Sequence, residues 1–347
     1  MSRHTPTDST PVYRARSVGD LLAAVPTLFG FSPQESFIAV ATSRPRNRFG
    51  FRLRIDLPQL DHIDAAADVA VGHLRRQGAE GAILLALSDD HERAEEMVRA
   101  ALARLDDDIE PIVVAWADGE RYWQPLPRFP DHGVRYTTSP HDLAVVQAVA
   151  AGQEILADRA ELVARFAPCA GATAERMAHA TGLHLDRVLR VFGQNPSPEG
   201  LVNAATAELD PILDRALREQ ERLSDDDVAL VSLWCSSIAV RDEVWSRIGL
   251  ENARDWLRVL TDVSGRVARP FVPSVLGLTG FAAYMVGDGA QAVIALERAL
   301  GADPAHRMSL LMMEIIQAGV SPDEYAAFDQ LAVTEARAPE RERERSA

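Results

Sequence analysis

The sequence predicts a mixed α/β domain followed by an all-helical domain, and three observations carry that reading. Apolar, β-rich runs at 36–42, 81–87 and 109–117 alternate with amphipathic helical patterns through the first half. From Thr138 onward the apolar period is helical throughout. A length of 347 residues is enough for two separate cores.

Taken in order, residues 36–42 form the first strand. In 49–57, Phe51, Leu53 and Ile55 alternate with Arg52, Arg54 and Asp56, the mark of a half-buried strand with its arginines toward water. The two strands pair through a turn at 44–48. An amphipathic helix follows at 62–76 and closes near Gly78. Residues 81–87 are continuously aliphatic, as in a strand covered on both faces. Ser88 and Asp89 are candidate caps of a helix reaching Leu105. A strand at 109–117 turns through Asp118-Gly119 into another at 120–124. The order β-β-α-β-α-β-β defines a mixed sheet with helices packed on it.

The second half predicts helices at 141–151, 159–166, 172–192, 203–222, 225–247, 251–264, 273–286, 290–301, 305–318 and 322–333. Ser224 with Asp227 has the spacing of a capping box. The domain plan is a flexible tail at 1–17, the α/β domain at 18–138 and the helical domain at 139–334. A repeat-like hairpin occupies 273–304, and a flexible charged tail 335–347.

Composition narrows the function. The net charge of -15 opposes phosphate over most of the surface, so no nucleic-acid partner is expected. No apolar run is long enough to span a bilayer, and no signal peptide is readable, so the expected setting is the cytoplasm, away from membranes. Cys169 and Cys235 match no metal or redox spacing and are read as buried small hydrophobes. The chain has no lysine, which removes Walker A, Schiff-base and lysine-base chemistry. No G-x-G-x-x-G, P-loop or H-E-x-x-H is present. No metal and no cofactor are expected.

The candidate catalytic residues are Asp89, Asp90 and His91, where a buried strand passes into a helix and ligands of α/β sheets collect. The competing reading, helix capping, is preferred because Ser and Asp do both. The acidic runs 106–108 and 225–227 lack the turn glycine of a metal loop and read as solvated or helix-starting residues. Arg44, Arg46, Arg48, Arg52 and Arg54 with Phe49 and Phe51 form the one basic-aromatic cluster. It resembles part of an RNA-recognition strand, but Arg48 stands where that pattern needs glycine.

Residues 18–42 carry a helix ending in Pro26, Leu28, Gly30 and Phe31, then Ser32, Pro33 and Ser36 before an apolar strand. This block resembles the opening of an actinobacterial family known as domain of unknown function 4192. The resemblance continues through Asp118, Gly119, Arg121 and Trp123; through Ser139, Pro140, Gly152 and Arg159; through Arg241, Asp242 and Trp245; and through 287–304. Many members carry cysteines before the position of Ser139, whereas 125–136 has none here. The last block also resembles a single tetratricopeptide repeat, with small residues at Gly280, Ala292 and Ala299 and Pro304 closing the unit. The family implies no activity.

Two functions follow. The first is a non-enzymatic interaction or scaffold protein that takes a protein or peptide partner through its helical domain. The second is an enzyme or small-ligand binder at the sheet edge near Ser88 and His91. Candidate binding residues are Ser36, Asp118, Arg241, Asp242, Trp245 and Tyr284. A surface groove lined by Trp245 and Tyr284 would favour the first, and a closed polar pocket joining Ser36, Asp89 and Asp118 the second.

Overall fold

The computed structural model describes residues 15–45, 47–195 and 197–327. Arg46, most of the expected 1–17 tail, the end of the helix expected at 322–333 and the expected 335–347 tail lie outside the described residues. The chain divides into two compact units, 1–161 and 162–347.

In the first unit, α1 (Val18–Phe29) begins at Ser17, whose Oγ accepts the Asp20 N–H at 3.0 Å. It stops at Gly30, which takes φ +73° and donates its N–H to the Pro26 carbonyl. The hairpin of β1 (Ser36–Ser43) and β2 (Arg48–Asp56) follows. Then come α2 (Ile63–Arg76), β3 (Gly81–Leu87), α3 (His91–Leu102), β4 (Glu110–Ala117) and β5 (Arg121–Trp123). This is the expected β-β-α-β-α-β-β order, with one addition, β6 (Val134–Arg135). The pattern of 125–136 carries no strand signal. Tertiary packing decides it: Gly133, at φ +67°, lies so close under the Trp123 indole that a Cβ there would come within 2.5 Å of the ring. The Trp123 Nε1–H donates to the Asp131 carbonyl at 3.0 Å.

The six strands make one mixed sheet in the order β2-β1-β3-β4-β5-β6. Only β3 and β4 run parallel. Phe37, Ala39, Ala82, Leu84, Ala86 and Trp116 of the sheet form a core with Ala67, Leu74, Met97 and Val98 of α2 and α3. Phe51, Leu53 and Ile55 pack against that core, as their alternation predicts. Arg54, expected to face water, does not: its side chain is only 13% exposed and lies 2.7 Å from Asp56. Burial lowers its pKa, and Asp56 opposes that shift.

The first unit runs past the change of period at Thr138. α4 (Leu143–Ala150) packs on α1, the Gln153 amide donates to the Thr27 carbonyl at 2.7 Å, and Phe31 pairs with Leu156. α5 (Arg159–Arg165) straddles the division.

The second unit holds α6 (Gly171–Gln194), α7 (Pro198–Arg218), α8 (Asp225–Trp234) and α9 (Ile238–Ser246). α10 (Ala253–Arg266), α11 (Val272–Met285), α12 (Gly289–Ala302) and α13 (Arg307–Gln317) follow, and residues 322–327 are helical as well. α7 starts earlier than its pattern suggested because Pro198 occupies the first helical position behind the Ser197 cap. The single helix expected at 225–247 breaks at residues 235–237. There Ser236 Oγ donates to the Leu233 carbonyl at 2.6 Å, a local bond that competes with the helical ladder. The capping box of Ser224 and Asp227 is formed. α11 and α12 pack side by side, and Gly280 permits the approach. No described helix is long and apolar enough to cross a membrane.

Candidate functional site

The register places the amino end of β1 and the carboxyl ends of β2, β3 and β4 at one edge of the sheet. Ser36 pairs with both Asp56 and Leu87, and Leu87 pairs with Ala117. Parallel strands leave their following loops at this edge, so residues 88–91 and Asp118 emerge side by side.

The edge is organised by two residues outside the set of candidates read from the sequence, Glu35 and Arg93. Glu35 sits in the left-handed region at φ +43°, unusual for a residue with a Cβ. Its carboxylate accepts the Ser88 hydroxyl at 2.7 Å and pairs with Arg93, whose side chain is mostly buried. Arg93 also donates to the Leu57 carbonyl, and its Nε approaches Asp90 at 3.3 Å without hydrogen-bond alignment. Asp90 caps α3 by accepting the Arg93 N–H, while its own N–H donates to Ser88 Oγ. The only signal of this in the sequence is the i, i+3 spacing of Asp90 and Arg93.

Of the catalytic candidates, Asp90 is therefore a helix cap and a partner of Arg93, and Asp89 stands in the exposed loop before it. His91 does face another candidate. Its Nε2 lies 3.5 Å from Asp118 Oδ2, and its ring meets Trp123 edge-on with centroids 4.2 Å apart. Asp118 is held by the hairpin turn, its Oδ1 accepting the N–H groups of Glu120 and Arg121. Burial alone would raise its pKa, but those two donors and His91 outweigh burial and hold the carboxyl below its ordinary value. Nearby Tyr136 is pushed up to about 12, mainly by burial and further by the Asp118 charge.

Ser36 is buried inside the sheet instead of lining a cavity. Its Oγ donates to the Gln34 carbonyl at 2.6 Å and accepts from Arg54 Nε at 2.9 Å. Ser36, Asp89 and Asp118 thus take three separate roles and do not share a closed pocket. An imidazole facing a carboxylate at 3.5 Å brings together the components of a general base. The Ser88 hydroxyl, however, is turned onto Glu35, away from that role.

In the second unit, Asp242 Oδ1 accepts from Nε and Nη2 of Arg241 at 3.0 and 2.7 Å, a forked pair on a buried guanidinium. Trp245 stacks edge-to-face on Phe281. Tyr284 does not line a groove: it is 5% exposed, packs with Phe281 and Tyr325, and donates its hydroxyl to the Val320 carbonyl. Among the described residues no group of three or more His, Cys, Asp or Glu side chains is arranged to hold a metal ion.

A family model described as domain of unknown function (DUF4192) matches residues 19–323. The chain belongs to the DUF4192 family. No curated protein and no solved structure matches it. The DUF4192 match spans both units, so the sheet edge and the Arg241–Asp242 pair both lie within the family's domain.

Proposed function

We propose that this chain is a non-enzymatic interaction protein of the cytoplasm, with a protein or peptide as its partner. One observation carries the reading. Leu143, Val146 and Val149 of α4 are 63%, 46% and 54% exposed and follow one another at helical spacing. Contiguous apolar residues left in water on a short helix mark a surface that another chain covers. The acid candidates support the same view: Asp90 is spent on capping α3 and on Arg93, and Asp118 on its hairpin turn. Photo-crosslinking in the native host tests it. A photoreactive residue at 146 should trap a discrete partner that is not trapped from position 218, in the other unit. With the probe at 146, Val149→Asp should abolish the capture without changing the melting temperature. Equal labelling from both positions sinks the proposal.

The second reading is a small-ligand or enzyme site near Ser88 and His91. Two features favour it: the His91–Asp118 contact and the strained backbone of Glu35 at the same edge. Metabolite screening by thermal shift should then return a ligand whose effect disappears in His91→Ala. A ligand that stabilises both proteins equally would count against it.

A further inference from the structure

The second unit contains an open cleft of about 300 Å³ lined by Thr173, Arg176, Arg222, Ser224, Asp225 and Arg266. We propose that it binds a phosphate group carried by a small metabolite. The cleft belongs to the second unit, whereas α4 belongs to the first.

Three guanidinium groups converge here in a chain whose net charge is strongly acidic. Arg266 is buried on the cleft wall, where it pairs with Asp225 at 2.9 Å and with Asp262 and donates to the Leu223 carbonyl. Its Nε–H has no hydrogen-bond partner among the described residues. Arg176 spends Nε on Asp225 and Nη2 on Thr173, which leaves Nη1 available. Arg222 spends only Nε, 3.4 Å from Asp262, and is three-quarters exposed. Asp225 is the one carboxylate among the lining residues; Asp262 holds Arg222 and Arg266 from behind, and Asp227 is bonded to Ser224. The Asp225 carboxyl is held below its ordinary value first by Arg176, with burial opposing and Arg266 adding to the effect, so it stays ionised.

The α6 amino terminus adds to this field. Thr173 lies in its first turn, which has no acidic residue and no side-chain cap, so this 24-residue helix brings no carboxylate of its own to its positive end. Guanidinium forks and helix amino ends together are the chemistry of oxyanion recognition. The cleft has room for more than a bare phosphate, in the range of small-molecule sites.

Calorimetric titration of the full chain with ribose 5-phosphate, ribose and inorganic phosphate tests the proposal. Ribose 5-phosphate should bind saturably and ribose should not. Inorganic phosphate binding as tightly as ribose 5-phosphate would place all recognition in the phosphate; weaker binding would show that the cleft also reads the attached group. Either result supports the site. Arg176→Ala with Arg222→Ala should weaken binding at least about tenfold, and the milder Arg222→Gln about threefold. Arg218→Ala, at another exposed arginine, should leave affinity unchanged. Absence of binding by both phosphate compounds at about 5 mM, or equal losses in the Arg218 variant, overturns the proposal.

Discussion

Nη1 of Arg241 lies 3.4 Å from Nε2 of His306, and both side chains are buried in the helical unit. A guanidinium can only donate, so Nε2 accepts. That leaves the proton on Nδ1, 2.8 Å from Ser309 Oγ. His306 is therefore built into the fold as a neutral imidazole.

The pH dependence of stability follows from this contact. Burial lowers the His306 pKa below 6.5; Arg241 lowers it further, and Asp303 partly opposes. His73 is lowered in the same direction by burial and Arg76. Below 6.5 the unfolded chain then binds more protons than the folded one, so stability is lost as pH falls through that window. The melting temperature should drop between about pH 7.5 and 5, and His306→Gln should flatten the slope. An unchanged slope in that variant would contradict the assignment.

Helix glycines should respond in opposite directions. A Cβ on Gly280 would meet Leu296 Cγ and Cδ2 at 2.7 Å inside the packed α11–α12 contact. Gly280→Ala should therefore destabilise by about 1 kcal/mol, overpacking outweighing the gain in helix propensity. Gly182 lies within α6, exposed, and a Cβ there would have no neighbour within 4 Å. Gly182→Ala should stabilise by about 0.5–1 kcal/mol in urea titrations. Shifts of the same sign at both sites would refute the packing account.

Gly30 is constrained by its backbone and not by space, since the nearest atom to a Cβ there is 3.7 Å away. Its φ of +73° is the left-handed cap of α1. Gly30→Ala should cost about 1 kcal/mol, Gly30→Val more and Gly30→Asn less. If all three melt with the wild type, the cap carries no strain.

The two thiols should differ in reactivity. Cys235 is fully buried, and burial pushes its pKa up to about 12 against the opposing charge of Arg241. Cys169, expected to be buried, is only half-buried, with Sγ 3.6 Å from the Arg266 carbonyl. Ellman's reagent should titrate one thiol in the native protein and the second only after unfolding. The fast phase should vanish in Cys169→Ser; its persistence would show that Cys235 is reached.

Much of the architecture follows from local pattern. The alternation of Phe51, Leu53 and Ile55, the aliphatic run of β3 and the Asp118-Gly119 turn determine the sheet segments, because side-chain direction in a strand is set residue by residue. The capping box of Ser224 and Asp227 and the left-handed Gly30 are likewise local chemistry. Tertiary structure decided the partnerships. Glu35 and Arg93 are 58 residues apart and meet only because β1 enters the sheet beside β3. Arg176, Arg222 and Arg266 share no motif, yet the packing of distant helical segments brings them into one cleft. Tyr284 sits in a pattern equally suited to a groove or a core, and Tyr325 and Val320 placed it in the core. Periodicity states which face of an element is apolar; which charges meet depends on register and packing between distant segments, and a linear pattern does not contain that.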